Sequence, residues 1–223
     1  MGKKAVIIVA GGTGTRMNLN TAKQFLPLGE KPIILHTFEA FRLYDPSMEF
    51  ILVLFKELHG EWDKIRKDYG FELSHKVVEG GKERFHSVLN GINALSDEVE
   101  LVAVHDAVRP FVSSNTIDRC FGEAEISGAA IPGIPVTDTI RRVRDASSVT
   151  IPRKELMAIQ TPQCFKANTL KEAYRTEYRD VFTDDASVVE FANQPVQIVE
   201  GNRRNIKITT REDLLIAHAF LKG

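Results

Sequence analysis

Continuous apolar runs and amphipathic stripes alternate along the first 130 residues. The earliest run, Lys4-Ala5-Val6-Ile7-Ile8-Val9-Ala10, has no polar position after its first residue. A strand covered on one face would alternate apolar with polar side chains, so this one is expected to be buried on both faces, as in a parallel sheet. Residues 50–55, 76–79, 101–104 and 128–132 read as further strands of the same frame. Between them the period lengthens. Phe85, Val88, Leu89, Ile92 and Leu95 fall at offsets of 3, 4, 7 and 10, a single helical face, and Ile117, Cys120, Phe121 and Ala124 repeat the spacing. Residues 59–69 complete the helical set. Strands alternating with helices predict an α/β fold with a doubly wound, mostly parallel sheet.

The rhythm breaks at residue 134. Residues 139–144 and 149–151 are strand-like and flank a polar turn at 145–148, a hairpin set into an α/β frame. Its first limb carries Arg141, Arg142 and Arg144. A lone hairpin is marginally stable in water, so this one is expected to pack on something else, most economically a partner subunit. The reading is a single domain over 1–223, with 134–158 as a dimerisation β-arm. Beyond the arm come a helix from Asn168, a second beginning at Asp184 or Asp185, a strand at 196–199 and an amphipathic helix over 211–221.

A chain of 223 residues with 43% hydrophobic content can fill one substantial core. Its 29 Lys plus Arg against 30 Asp plus Glu leave a net charge of −1, which gives no electrostatic case for nucleic acid or an anionic membrane. Phosphate recognition, if present, has to be local. The short N-terminal apolar run meets glycines at once, unlike a signal peptide, and no stretch approaches membrane-spanning length. Cys120 and Cys164 lack metal-ligand spacing, and Cys120 lies on a helix's apolar stripe as a buried thiol would. A cytoplasmic chain is expected.

The first strand empties into Gly11-Gly12-Thr13-Gly14-Thr15-Arg16-Met17, and Lys23 follows seven positions after Arg16. Glycines let successive backbone N–H groups approach and cradle phosphate oxygens, and Arg16 and Lys23 would add positive charge to the same oxygens. That pattern points to a triphosphate. It is neither common phosphate loop: the dinucleotide fingerprint needs glycine where Met17 stands, and the P-loop needs Gly-Lys-Ser/Thr where Gly14-Thr15-Arg16 stands.

Two more motifs sit at predicted strand ends, where open parallel sheets bind ligands. Gly80-Gly81-Lys82-Glu83-Arg84 exposes backbone that could read a base edge, with Ser87 close by. In His105-Asp106-Ala107-Val108-Arg109-Pro110, Asp106 could meet a ribose hydroxyl or a phosphate-bound Mg²⁺, or simply pair with Arg109. Pro110 holds Arg109 extended, which could aim its guanidinium at a second anion. His105 reads as structural. Thr183-Asp184 doubles as a helix N-cap, Lys207 as a solvated edge lysine in an Ile206–Ile208 alternation, and Trp62 as packing.

Taken together, the glycine loop with Lys23-Gln24, His105-Asp106-Ala107-Val108-Arg109-Pro110, Thr161-Pro162-Gln163, Thr183-Asp184-Asp185-Ala186-Ser187 and Asn205-Ile206-Lys207-Ile208-Thr209 resemble the 2-C-methyl-D-erythritol 4-phosphate cytidylyltransferase family. This is a branch of the sugar-phosphate nucleotidyltransferases, with their Rossmann-like fold. The resemblance implies Mg²⁺-dependent transfer of CMP from CTP to the phosphate of methylerythritol phosphate, releasing pyrophosphate, in non-mevalonate isoprenoid biosynthesis, with the metal carried mainly by the CTP phosphates and no dedicated protein metal site. By the same likeness, Ala10, Gly11, Gly12 and Gly14 wrap the triphosphate, Arg16 and Lys23 stabilise the α-phosphorus, and Gly81 and Ser87 face the cytosine. Asp106 would face the ribose or the acceptor. Arg109, Thr139, Arg153, Thr161, Thr183 and Lys207 would hold the acceptor, with Thr139 and Arg153 reaching across a homodimer. The chain differs from the family pattern at Lys82, often acidic in relatives, and at Arg204, where relatives tend to have Asp. A ribitol-5-phosphate cytidylyltransferase and a non-catalytic nucleotide-binding module are the alternatives.

Overall fold

The computed structural model describes residues 2–11 and 22–222, so Gly12, Gly14 and Arg16 lie outside the described residues. In chain order the elements are β1 (Lys3–Val9), a 3₁₀ turn (Lys23–Phe25), β2 (Pro27–Leu28), β3 (Lys31–Pro32), α1 (Ile33–Tyr44), β4 (Glu49–Leu54), α2 (His59–Asp68), β5 (Lys76–Glu79), α3 (Arg84–Asn93), β6 (Val99–Asp106) and α4 (Ser114–Ser127). Then follow β7 (Ala129–Pro135), β8 (Ile140–Arg144), β9 (Ser147–Ile151), β10 (Met157–Ile159), β11 (Gln163–Lys166), α5 (Ala167–Ala173), α6 (Asp185–Phe191), β12 (Gln197–Glu200) and α7 (Arg211–Lys222).

The central sheet runs β10-β7-β11-β6-β1-β4-β5, with β12 also paired to β7. The apolar run of β1 is covered on both faces, as its pattern requires. Val6 and Ile8 join Phe38 and Phe41 of α1, Trp62 of α2 and Phe121 of α4 in one core layer. Ala5 and Ile7 join Phe85 and Val88 of α3, Leu170 of α5 and Val189 of α6 in the other. The sheet is doubly wound.

One half of it is parallel: β1 pairs with β4 and β6, and β4 with β5, all in parallel register. The other half is mixed, because β11 inserts antiparallel between β6 and β7, and β10 lies antiparallel on β7. No strand was expected at 157–159 or 163–166. These segments are three and four residues long, too short to display a period, and their pairing is decided by the neighbours they meet. Helix α1 was also not anticipated. It follows Pro32 without a side-chain cap and has buried residues along much of its length, which blurs its stripe.

The hairpin exists and is tighter than the sequence suggests. Its turn is Asp145-Ala146, with Asp145 at a φ of 50°, so β9 begins at Ser147 rather than at 149. Ile206–Ile208 forms no strand, although Ile208 N–H donates to the Val108 carbonyl at 3.0 Å. Cys120 and Cys164 are free and buried.

Candidate active site

From β1 the chain order goes outward through β4 to β5, then returns to place β6 on the other side of β1. This reversal opens a crevice beyond the carboxyl ends of β1 and β6, the usual ligand position in such sheets. A cleft of about 360 Å³ occupies it, within the range that holds small ligands. Ala10, Gly11, Lys23, Gly81, Ser87, Asp106 and Lys207 all line it. The sequence motifs, more than 190 residues apart at their extremes, therefore converge.

The strand ends are tied together behind the cleft. Ala10 N–H donates to the Val53 carbonyl at 2.8 Å, and Ala107 N–H to the Val9 carbonyl at 3.0 Å. On the β5 side, Gly81 N–H donates to Ser87 Oγ at 3.0 Å. A Cβ at Gly81 would lie 2.3 Å from that of His86, so only glycine lets the loop fold back on α3. Glu83 caps α3 and shares a capping box with His86.

Asp106 is the electrostatic centre. Its Oδ2 accepts from Arg109 Nε at 3.1 Å and lies 3.0 Å from Lys207 Nζ. Burial alone would push this carboxyl up. The charges of Lys207, Arg84 and Arg109 outweigh it and hold the group well below the usual carboxylate range, so Asp106 stays ionised. Lys207 is thus no solvated edge lysine, although its side chain keeps 40% exposure toward the cleft. Arg109 does not wall the cleft: its Nη1 donates to the Asn205 carbonyl at 2.9 Å.

Thr161 stands behind Asp106, buried. Its hydroxyl accepts from Asp106 N–H at 3.1 Å and lies 3.1 Å from His105 Nδ1. His105 Nε2 lies 3.0 Å from the Arg109 carbonyl, which can only accept, so Nε2 carries the proton and Nδ1 accepts from Thr161. Both ring nitrogens are used. Burial lowers the His105 pKa to about 4, which keeps the ring neutral. The structural reading of this histidine holds.

Arg84 is a cleft residue that the sequence reading did not single out. Asp185, fully buried, takes both ends of its guanidinium, at 2.9 and 2.6 Å, and accepts from Tyr174 Oη at 2.7 Å. Burial works against the charge on Arg84, but Asp185 more than offsets this and raises its pKa. A signal was present in the sequence: Arg84 opens a helix three positions after a glycine pair, and Asp185 follows a helix cap.

The remaining candidates stand apart. Thr183 is exposed beside the N-terminus of α6, where Asp184 is the cap and accepts from Ser187 N–H at 2.9 Å. Thr139 and Arg153 lie on the exposed arm, where Arg153 Nη1 donates to the Thr137 carbonyl at 2.6 Å. None of the three lines the cleft.

Among the described residues no cluster of three or more His, Cys, Asp or Glu could cage a metal. One buried, ionised carboxylate beside several cations fits a Mg²⁺ borne on substrate phosphates, because that ion keeps water and phosphate ligands and takes one or two protein carboxylates.

A family model described as IspD, 2-C-methyl-D-erythritol 4-phosphate cytidylyltransferase, matches residues 4–223. The chain is 50% identical over 219 residues to the 2-C-methyl-D-erythritol 4-phosphate cytidylyltransferase of Bacteroides thetaiotaomicron, covering 98% of this chain and 100% of the relative. It is 48% identical over 218 residues to that of Bacteroides fragilis, covering 98% and 99%. Among solved structures it is similar to the 4-diphosphocytidyl-2C-methyl-D-erythritol synthase of Anaerococcus prevotii, with a TM-score of 0.85, 28% identity, and 100% and 99% of the two chains covered.

Proposed function

The chain belongs to the 2-C-methyl-D-erythritol 4-phosphate cytidylyltransferase family, and from that premise we propose how its cleft carries out the reaction. The activity is transfer of CMP from CTP to 2-C-methyl-D-erythritol 4-phosphate, with release of pyrophosphate, in the non-mevalonate isoprenoid pathway. A ribitol-5-phosphate cytidylyltransferase is not favoured, nor is a non-catalytic nucleotide-binding module.

The nucleophile is a phosphate oxygen, anionic at neutral pH, so the protein needs no general base. Its task is to bring two mutually repelling anions into line and to neutralise charge growing at the α-phosphorus. The backbone at Ala10 and Gly11, continued by Gly12 and Gly14, cradles the triphosphate, and Lys23 and Arg16 stabilise the reacting phosphorus. Gly81 and Ser87 face the cytosine, and Asp106 meets the ribose or the acceptor polyol. Lys207, exposed toward the cleft while paired with Asp106, holds the acceptor phosphate. Arg109 and Thr161 serve by holding Asp106, to which Arg109 Nε and the Thr161 hydroxyl bond, while Arg109 Nη1 is taken by the Asn205 carbonyl. Asp106 is a buried, ionised carboxylate that would meet a Mg²⁺ borne on the CTP phosphates, and such an ion would supply charge neutralisation for the leaving pyrophosphate.

Thr139, Arg153 and Thr183 complete the acceptor site. Thr139 and Arg153 flank the base of a nearly fully exposed two-stranded ribbon, with Val143 70% and Val149 58% exposed. An isolated ribbon of this kind is unstable unless it packs. A second copy of the chain is the partner, and the arm delivers Thr139 and Arg153 to that copy's cleft. The enzyme works in the cytoplasm, where its two buried cysteines remain reduced.

The observation that carries this assignment is the convergence of Lys23, Asp106 and Lys207 on the crevice beside Gly11. Incubation with Mg²⁺, CTP and, in turn, methylerythritol phosphate, ribitol phosphate or no acceptor tests it by pyrophosphate release. Release is expected with methylerythritol phosphate alone. Release with ribitol phosphate and none with methylerythritol phosphate would transfer the assignment to the other polyol.

A further inference from the structure

The 3₁₀ turn that carries Lys23 also carries Gln24, whose side chain the reaction as derived above does not use. Three residues per turn send successive side chains about 120° apart, and this turn uses all three directions. Lys23 lines the cleft. Phe25 enters the core and stacks on Trp62, with ring centroids 6.3 Å apart and planes within 12°. Gln24, 1% exposed, turns back toward the end of β1, where its Nε2 donates to the Ala10 carbonyl at 2.9 Å.

That contact fixes more than a carbonyl. In a trans peptide the C=O of Ala10 and the N–H of Gly11 lie in one plane and point in opposite directions. The preceding peptide is held separately, by Ala10 N–H donating to the Val53 carbonyl at 2.8 Å, so the contact that fixes the Ala10–Gly11 plane is the one from Gln24. Packing alone does not account for glutamine here. Its Oε1 is buried with no hydrogen-bond partner among the described residues, a cost that methionine, similar in length and fully apolar, would avoid.

We propose that Gln24 is a positioning residue for the triphosphate: by fixing the Ala10 carbonyl it aims the Gly11 amide at the phosphates and sets the distance between that amide and Lys23. The inference rests on the cleft being the CTP site. It predicts a defect confined to the phosphate-dependent part of nucleotide binding, because the base side of the cleft, at Gly81 and Ser87, is held by separate contacts.

Calorimetry on the full chain with saturating Mg²⁺, using CTP and CMP as ligands, tests it. If the wild-type chain binds no CTP, the functional reading itself fails. If it does, Gln24→Met is expected to lower CTP affinity about tenfold or more, the loss of one hydrogen bond to a charged group, and to leave CMP affinity within about twofold. Equal losses for CTP and CMP, or no loss for either, would overturn the proposal. Should Gln24→Met not fold, Gln24→Leu carries the same test, with a loss of about tenfold expected for CTP and little change for CMP. Equal changes for the two nucleotides would again overturn the proposal.

Discussion

In the strand-end cleft, the charged side chains are gripped by distant parts of the same chain. Asp106 is held by Lys207, far along the sequence, and Arg84 by Asp185 at a separation of 101 residues. On the arm the contacts are local: Arg141 bonds to Ser148 and Thr150, and Arg153 to Thr137. The first kind of site is oriented before any ligand arrives, because folding has already met the ordering cost. The second has side chains on a solvated ribbon, and it gains a fixed geometry from whatever it docks against. On the proposed reading, one part of the machinery is ordered within a single chain and the other, the arm, is borrowed from a second copy.

The largest effect expected on the pre-ordered side comes from its cations. Lys23→Ala and Lys207→Ala should each lower kcat by about 10²–10³, the usual cost of removing one donor that stabilises developing charge. Lys23→Ala should leave circular dichroism little changed, whereas Lys207→Ala also strips the buried Asp106 of a partner and should lower the melting temperature. Steady-state kinetics on either variant within about twofold of wild type would mean that charge at the cleft is not what the reaction uses.

A second test asks how firmly that side is built. His105 is neutral in the fold, with its pKa lowered by burial to about 4 from an ordinary 6.5. The unfolded chain takes up a proton at this position as the pH drops through 6.5, while the folded chain does so only near 4. Stability is therefore fully present above the ordinary value and is lost on acidification across that window. Between pH 7 and pH 5 the loss should be roughly 2 kcal/mol, read by urea unfolding at both values. His105→Gln should flatten this dependence. An unchanged acid slope in that variant would show that the ring is not the group responsible.

The same contrast sets what the sequence could reveal. Apolar runs made the parallel half of the sheet legible, because β1, β4 and β6 are buried on both faces and tolerate no polar position at their centres. The antiparallel strands β10 and β11 were not legible, since so few residues carry no period and their pairing is settled by tertiary contact. Among site residues, Asp106 and Ser87 could be placed from position at a strand or helix end. Lys207 entered the site through resemblance, while its local alternation alone suggested a solvated lysine, because its partner lies more than 100 positions away and no local pattern encodes a long-range ion pair. Arg84 was passed over for the same reason. The arm was visible as a hairpin, with its turn drawn too long by two residues at its second limb, because Ser147 and Ser148 look like turn residues and yet pair with Arg144 and Val143.

The borrowed half makes the sharpest claim on the comparison. Arg153→Ala should raise the KM for methylerythritol phosphate more than that for CTP, but a cis role for the arm would do the same. A mixture separates them. Lys23→Ala chains keep an intact arm, and Arg153→Ala chains keep an intact cleft. If the arm acts across an isologous dimer, a mixed dimer contains one site built from the intact half of each chain and one site damaged twice. Co-refolding equal amounts of the two proteins, assayed with methylerythritol phosphate well below the raised KM so that each alone turns over little, gives mixed dimers for half the population, each with one working site in two, so about a quarter of wild-type turnover should return. An arm acting within its own chain would return nothing, because every site would still lack either Lys23 or Arg153. Recovery that rises with time of subunit exchange and stops near that fraction would place the arm in the neighbouring cleft. A flat baseline would put Thr139 and Arg153 back on their own chain and leave the exposed ribbon to be explained by another partner.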